Sequence, residues 1–305
     1  MSGAPSWSGP LAAGLHAELI AVLIAVTDGR PRLLTIAEGT ALPAGPIESG
    51  HRSLQQGLRA WVGRLTRHDL GYVEQLYTFA DLDRSMAGRS ISISYLGLTR
   101  ETPAALGGSV AWHDLYHYFP WEDRRGAGRT GSIAAALGAW AAGDPEKWQR
   151  TCLCFGLDGA AWDDEAALAR YELLYEAGLV AESRAAGRSR VTAAPETGRP
   201  MLHDHRRILA TALARLRAKI KYRPVVFELM PESFTLLALQ HTVEAIAGHP
   251  LHKQNFRRLI ETQGLIEETG EMSKGTGRPA KLFRFRPGIR TERQLAGTRL
   301  PLTRS

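Results

Sequence analysis

The sequence predicts an α+β protein in two parts: a strand-rich body with one long helix and a helical insertion, then a compact helix, turn, helix and β-hairpin. Three observations carry this. Apolar runs bounded by turn residues fill the first hundred positions, an Ala- and Gly-rich stretch with helical spacing covers 126 to 200, and the period changes from helix to strand after Gly264 in a basic C-terminal third. At 305 residues with 44% hydrophobic content, the chain is long enough for two cores.

In the body, HAELIAVLIAVT and DGRPRLLTIA, joined by DGRP turn chemistry, form a β-hairpin. LPAG follows, then GPIESGHRSLQQGLRAWVGRLTR at 45 to 67, where Leu54, Leu58, Trp61, Val62 and Leu65 recur at helical spacing. GYVEQLYTFADLD and RSISISYLGLT add two strands; the second alternates Ile91, Ile93 and Tyr95 with Ser90, Ser92 and Ser94. Helical patterns at 131 to 142 and 160 to 178 lie in the insertion, which ends in the Pro/Gly-rich AAPETGRP. Between His205 and Lys221, the residues Ile208, Leu209, Ala212, Leu213, Leu216 and Ile220 make one apolar helix face, suited to bridge domains or to pair with its copy in a dimer.

Several classes are excluded. The longest apolar run, AELIAVLIAV at 17 to 26, is about half a bilayer-spanning helix, and MSGAPSWSGP lacks a basic leader, so a cytoplasmic location without a membrane partner is expected. Cys152 and Cys154 are two residues apart, too close for an unstrained bridge, and are read as inert thiols.

Charge is regional. Residues 1 to 200 carry 19 Lys+Arg against 22 Asp+Glu, whereas 201 to 290 carry 16 against 8. A basic third on a slightly acidic body points to a polyanion-binding module. Its order is legible. Thr235 caps a helix through Leu236, Leu239, Val243 and Ile246 that Gly248 ends. LHKQNFRRLIETQG forms the second helix, buried through Phe256, Leu259 and Ile260 and offering Lys253, Gln254, Asn255, Arg257 and Arg258. A hairpin follows, with a basic tip from Lys274 to Arg278 and Lys281 beyond it. This is the winged-helix plan. A helix fits the major groove, where Gln and Asn bond adenine edges and Arg bonds guanine, while wing cations neutralise phosphates. A double-stranded, near-palindromic operator bound by a homodimer is the expected partner.

Together, GYVEQLYTF, HDHRRILATALARLRAKIKYRPVVFELMPESFTL and KQNFRRLIETQGLIEETGE with GRPAKLFRF resemble the Nudix-related transcriptional regulators of NAD metabolism, and most resemble the proteobacterial repressors of de novo NAD synthesis genes. The resemblance covers about 14 to 125 and 201 to 287. It implies a Nudix-like α/β/α sandwich with an effector-sensing role over 14 to 222, including the 126 to 200 insertion and a bridging helix at 203 to 221, then a winged-helix DNA-binding domain at 223 to 290. A Nudix hydrolase carries Gly, five residues, Glu, seven residues, then Arg-Glu-hydrophobic-x-Glu-Glu-x-Gly, whose carboxylates hold Mg²⁺. Counting from Gly45, Arg59 is kept, but His51, Ala60, Gly63 and Arg64 occupy the acidic positions and Thr66 the closing Gly. Glu48 alone does not rebuild the site.

No catalytic residue, metal or catalytic cofactor is therefore expected. The resemblance implies that the remaining frame senses NAD or a related adenine nucleotide such as ADP-ribose or ATP. His51, Arg52, Arg59 and Arg64 are its candidate anion partners, Tyr77 and Phe79 its candidate stacking rings, and Arg89 a phosphate contact, although strand aromatics pack more commonly in a core. The competing reading is a divergent nucleotide pyrophosphohydrolase using Glu74, Glu122 or Asp123. HDLYHYFPWED at 113 to 123 is read as a packed loop, the HDH at 203 to 205 as capping and surface charge, and Asp163, Asp164 and Glu165 as acids suited to a helix start.

Overall fold

The computed structural model describes residues 16–47, 50, 52–66, 70–79, 90–101, 110–126, 130–185, 197–222, 225–274 and 279–288. The body is a mixed sheet of six strands: β1 (His16–Thr27), β2 (Arg30–Thr35), β3 (Ala44–Pro46), β4 (Tyr72–Phe79), β5 (Ser90–Leu98) and β6 (Ala111–Asp114). The order is β4-β5-β1-β2-β6, with β3 also on β1; β1 and β5 run parallel from His16 opposite Ser90 to Ile24 opposite Leu98. The expected hairpin forms, turning through Asp28 and Gly29, both at positive φ.

β1 is central, and both of its faces are covered, which explains its unbroken apolar run. Leu19, Ala21 and Leu23 meet α1 (Leu54–Thr66) through its fully buried Leu58 and Val62. Ile20, Val22 and Ile24 join the larger core on the opposite face, with Ile208, Leu209, Ala212, Leu213, Leu216 and Ile220 of α6 (His205–Tyr222). The result is a helix, sheet, helix sandwich. Ser53 Oγ starts α1 by accepting the Gln56 N–H at 3.1 Å, and Gly45 admits the Trp61 ring, whose Cε2 would lie 2.9 Å from a Cβ there.

The insertion holds α2 (Gly131–Trp140), α3 (Pro145–Phe155), α4 (Ala167–Glu176) and α5 (Ala181–Ala185). The helix expected over 160 to 178 is shorter: a 3₁₀ turn at Asp164–Ala166 precedes α4. The sequence reading missed α3, although its signals are local. Asp144 accepts the Lys147 N–H, Pro145 opens the first turn and Gly156 closes the helix at φ 62°. The packed-loop reading of HDLYHYFPWED holds for its second half, where Tyr116, Tyr118, Phe119 and Trp121 are buried, but it begins as strand β6. HDH is surface only in part: His203 is exposed and Asp204 half-buried. His205 is buried, and its Nδ1 accepts the Leu42 N–H at 2.9 Å, tying the start of α6 to the turn before β3.

The C-terminal part contains α7 (Leu236–Ala247), α8 (Lys253–Thr262), β7 (Ile266–Met272) and β8 (Lys281–Phe285). Thr235 accepts the Ala238 N–H, and Gly248 ends α7 at φ 80°, as the residue types require. Phe234 exchanges two backbone hydrogen bonds with Phe283, an isolated bridge that ties the hairpin to the start of α7. Among the described residues, no helix is long and apolar enough to cross a membrane.

Candidate nucleic-acid interface and nucleotide frame

α8 separates its two jobs by angle. At about 100° per residue, Lys253, Arg257, Gln254 and Arg258 sweep an arc of about 140°. All four are exposed, whereas Phe256 and Ile260, about 60° and 20° beyond the Lys253 edge of that arc, are 1% exposed, and Asn255, beyond its Arg258 edge, is half-buried. In the hairpin, Lys274 is exposed two residues past β7. Lys281 is 62% exposed and donates to both Glu268 oxygens at 2.9 and 3.1 Å, and Arg284 pairs with Glu267 at 2.7 Å. Such exposed surface pairs are weak. Arg278 lies outside the described residues, as do His51 and Arg89.

The nucleotide candidates do not share one pocket. Arg52 and Arg64 are exposed on and before α1. Arg59 is turned to the backbone: its guanidinium donates to the carbonyls of Leu70 and, at 3.1 Å, of Gly71. Tyr77 and Phe79 lie across the sheet, because a bulge between Gln75 and Tyr77 puts Tyr77 opposite Ser94 and Phe79 opposite Ser92 on the α6 side. Their rings are 5.1 Å apart, yet Tyr77 is 61% exposed while Phe79 is buried, with the Arg207 guanidinium 6.0 Å from its centroid. Alternation had left the face undecided, and the bulge that re-phases β4 is invisible to it.

The acids of the hydrolase reading are all tied. Glu74 accepts from Lys219 at 3.0 Å and from the Tyr72 hydroxyl, and Asp123 holds Arg125 at 2.8 Å. Glu122 is 1% exposed between two arginines. Arg170 meets it with Nε on Oε1 at 2.6 Å and Nη2 on Oε2 at 2.9 Å, and Arg217 Nη1 donates to Oε2. Burial alone would raise the Glu122 carboxyl, but the charges and hydrogen bonds of Arg170 and Arg217 hold it below its ordinary value. Burial pushes the neighbouring Tyr116 hydroxyl up to about 12, so it remains a donor. Burial likewise raises both cysteine thiols. Among the described residues, no group of three or more His, Cys, Asp or Glu side chains is placed to hold a metal ion.

The sequence reading missed this buried junction. Arg217 also donates to the Ile246 carbonyl at 2.9 Å, and His249 Nε2 pairs with Asp164 at 3.0 Å. Burial alone would raise Asp164, but the hydrogen bond and charge of His249, then Arg217 and Lys221, hold it low. Nothing local distinguishes Arg217 from the other arginines of α6; the only available signal was its i+4 spacing from Leu213, which places it toward the apolar side.

Residues 226–285 match the family model of the NrtR DNA-binding winged helix domain. The ADPR responsive transcriptional repressor NtrR of Acinetobacter baylyi is 44% identical over 82 residues, 27% of this chain; the match spans a third (33%) of that repressor's length. The crystal structure of Shewanella oneidensis NrtR complexed with a 27mer DNA is similar at 22% identity and TM-score 0.57, covering 90% of this chain and 95% of that one. A MutT/nudix family protein from Enterococcus faecalis is similar at 16% identity and TM-score 0.50, covering 93% of this chain and 90% of its own. The sandwich and its C-terminal extension thus have the fold of a Nudix-like domain joined to an NrtR-type winged helix.

Proposed function

We propose that the chain is a DNA-binding transcriptional repressor of NAD biosynthesis genes, working as a homodimer on a near-palindromic operator and controlled by an adenine nucleotide held in its Nudix-like domain. The observation that carries this reading is the arc of Lys253, Gln254, Arg257 and Arg258 presented by α8, fused to a Nudix-like frame without its acidic positions. The ADP-ribose response in the name of the Acinetobacter baylyi relative supports ADP-ribose as the effector class, with NAD and ATP as the related candidates. The domain division at 222/223, the homodimer and the site residues belong to this proposal. So does the absence of turnover, supported by the pairing of Glu74, Glu122 and Asp123 to basic side chains.

The mechanism is a population shift: the nucleotide prefers one placement of the two winged helices, and DNA prefers one as well. The test is to select duplexes from random-sequence DNA with the full chain and titrate them at fixed salt with and without ADP-ribose, NAD and ATP. Affinity that no nucleotide changes rejects the sensing role. Product formed from ADP-ribose or NADH with Mg²⁺ or Mn²⁺ restores the hydrolase reading.

A further inference from the structure

The winged helix is held to the body by the C-terminal end of α7. Tyr116 Oη donates to the Ala245 carbonyl at 2.7 Å, Arg217 Nε to that of Ile246 at 2.9 Å, and the Arg124 N–H to that of Gly248 at 2.6 Å. The last carbonyls of a helix lack intrahelical partners and form its negative pole, so a buried guanidinium is well matched there. The approach is close. A Cβ on Gly248 would overlap the Glu122 carbonyl and lie 2.6 Å from Arg217 Nη2.

Two of the groups that secure this end come from the insertion. Arg170 of α4 holds Glu122, which holds Arg217, and the 3₁₀ turn before α4 supplies Asp164 to His249, the residue after Gly248. The Asp164 carbonyl also accepts from Arg217 at 3.1 Å. Only residues 248 to 252 separate α7 from α8, so whatever fixes the end of α7 fixes the base of α8.

We infer that the 126–200 insertion is a clamp on the winged helix, and that Asp164 and Arg170 are positioning residues for DNA binding that never approach DNA. Its output rests on the DNA-binding reading above; its mechanical part does not. A clamped α8 meets DNA preorganised, and releasing it adds an ordering cost to binding.

The test uses the full chain with Asp164→Asn, with Arg170→Lys as the second variant should the first not fold, and with Arg150→Ala as a control. Arg150 makes an exposed pair with Glu176 in the same insertion. Hydrogen exchange read per segment is expected to quicken about ten-fold across 236–262 in either test variant, with β1 and β5 unchanged and the control like wild type. The dissociation constant for the duplexes selected by wild type is expected to rise about ten-fold, about 1.4 kcal/mol. Unchanged exchange across 236–262 overturns the clamp, and so does quickened exchange with unchanged or tighter DNA binding. A wild-type chain that selects no duplex rejects the DNA-binding reading, while the exchange result still decides the clamp.

Discussion

Glu122 and Arg170 form a buried bidentate pair, 2.6 Å from Nε to Oε1 and 2.9 Å from Nη2 to Oε2, with side chains 1% and 0% exposed. Arg217 approaches the same carboxylate from α6, so one anion separates two buried cations. Removing one partner of such a group is far costlier than never having built it, because the remaining charges stay desolvated. Glu122→Gln keeps the shape and removes the charge. It is expected to lose about 3–5 kcal/mol of unfolding free energy, read as a lower denaturant midpoint at pH 7. A midpoint equal to wild type would show that the two arginines find other compensation.

The same carboxylates set the response to acid. Glu122 and Asp164 both titrate below their ordinary values in the folded chain, so the unfolded chain binds protons first as pH falls. Their stabilisation is complete above the unfolded carboxylate range, about pH 4, and is lost progressively as pH drops through the lower folded values. Melting temperature is therefore expected to hold from pH 7 to about pH 5 and fall steeply below about pH 4. Glu122→Gln should melt lower at neutral pH but with a shallower acid slope. A wild-type acid slope in that variant would assign the response to other carboxylates.

On DNA, the exposed arc of α8 and the hairpin are expected to separate in their salt behaviour. Arg257→Ala or Arg258→Ala should each cost about 1–3 kcal/mol on a selected duplex, with sequence preference relaxed. Lys274→Ala should weaken all duplexes alike and reduce the slope of log affinity against log salt by about one. Lys281→Ala is expected to do less, because Glu268 already pairs with that ammonium. Titrations at three salt concentrations distinguish the cases; equal slopes for all four variants would remove the division between helix and wing.

The winged helix was legible because its signals are local: the Thr235 cap, the positive-φ glycines at 248 and 264, and the change of period into β7. The two-sided burial of β1 was likewise written in its apolar run. Partner identity was not legible. Arg59 looked like an anion ligand by its place in the motif, yet it holds the carbonyls of the turn at Leu70 and Gly71, against which Glu228 packs. Asp164 looked like a helix-start acid, and its partner His249 lies 85 residues away. Both depend on long-range packing, which neither residue type nor spacing encodes.

Tyr77 and Phe79 offer the sharpest test of the nucleotide frame, because neighbours on one sheet face have opposite surroundings: Phe79 is 6% exposed and Tyr77 61%. Phe79→Ala should open a cavity under Arg207 and cost about 3–5 kcal/mol of stability whether or not ligand is present. Tyr77→Ala should change stability by less than about 0.5 kcal/mol, since an exposed ring has little packing to lose. Its effect is therefore confined to what the ring meets from solvent. Calorimetric titration with ADP-ribose then compares Tyr77→Ala with the double variant Arg52→Ala/Arg64→Ala on the α1 side. Weaker binding by Tyr77→Ala alone is the expected result, because Tyr77 offers a stacking face with the Arg207 cation on the same side of the sheet. Loss confined to the arginine pair would instead move the pocket to the face that carries α1.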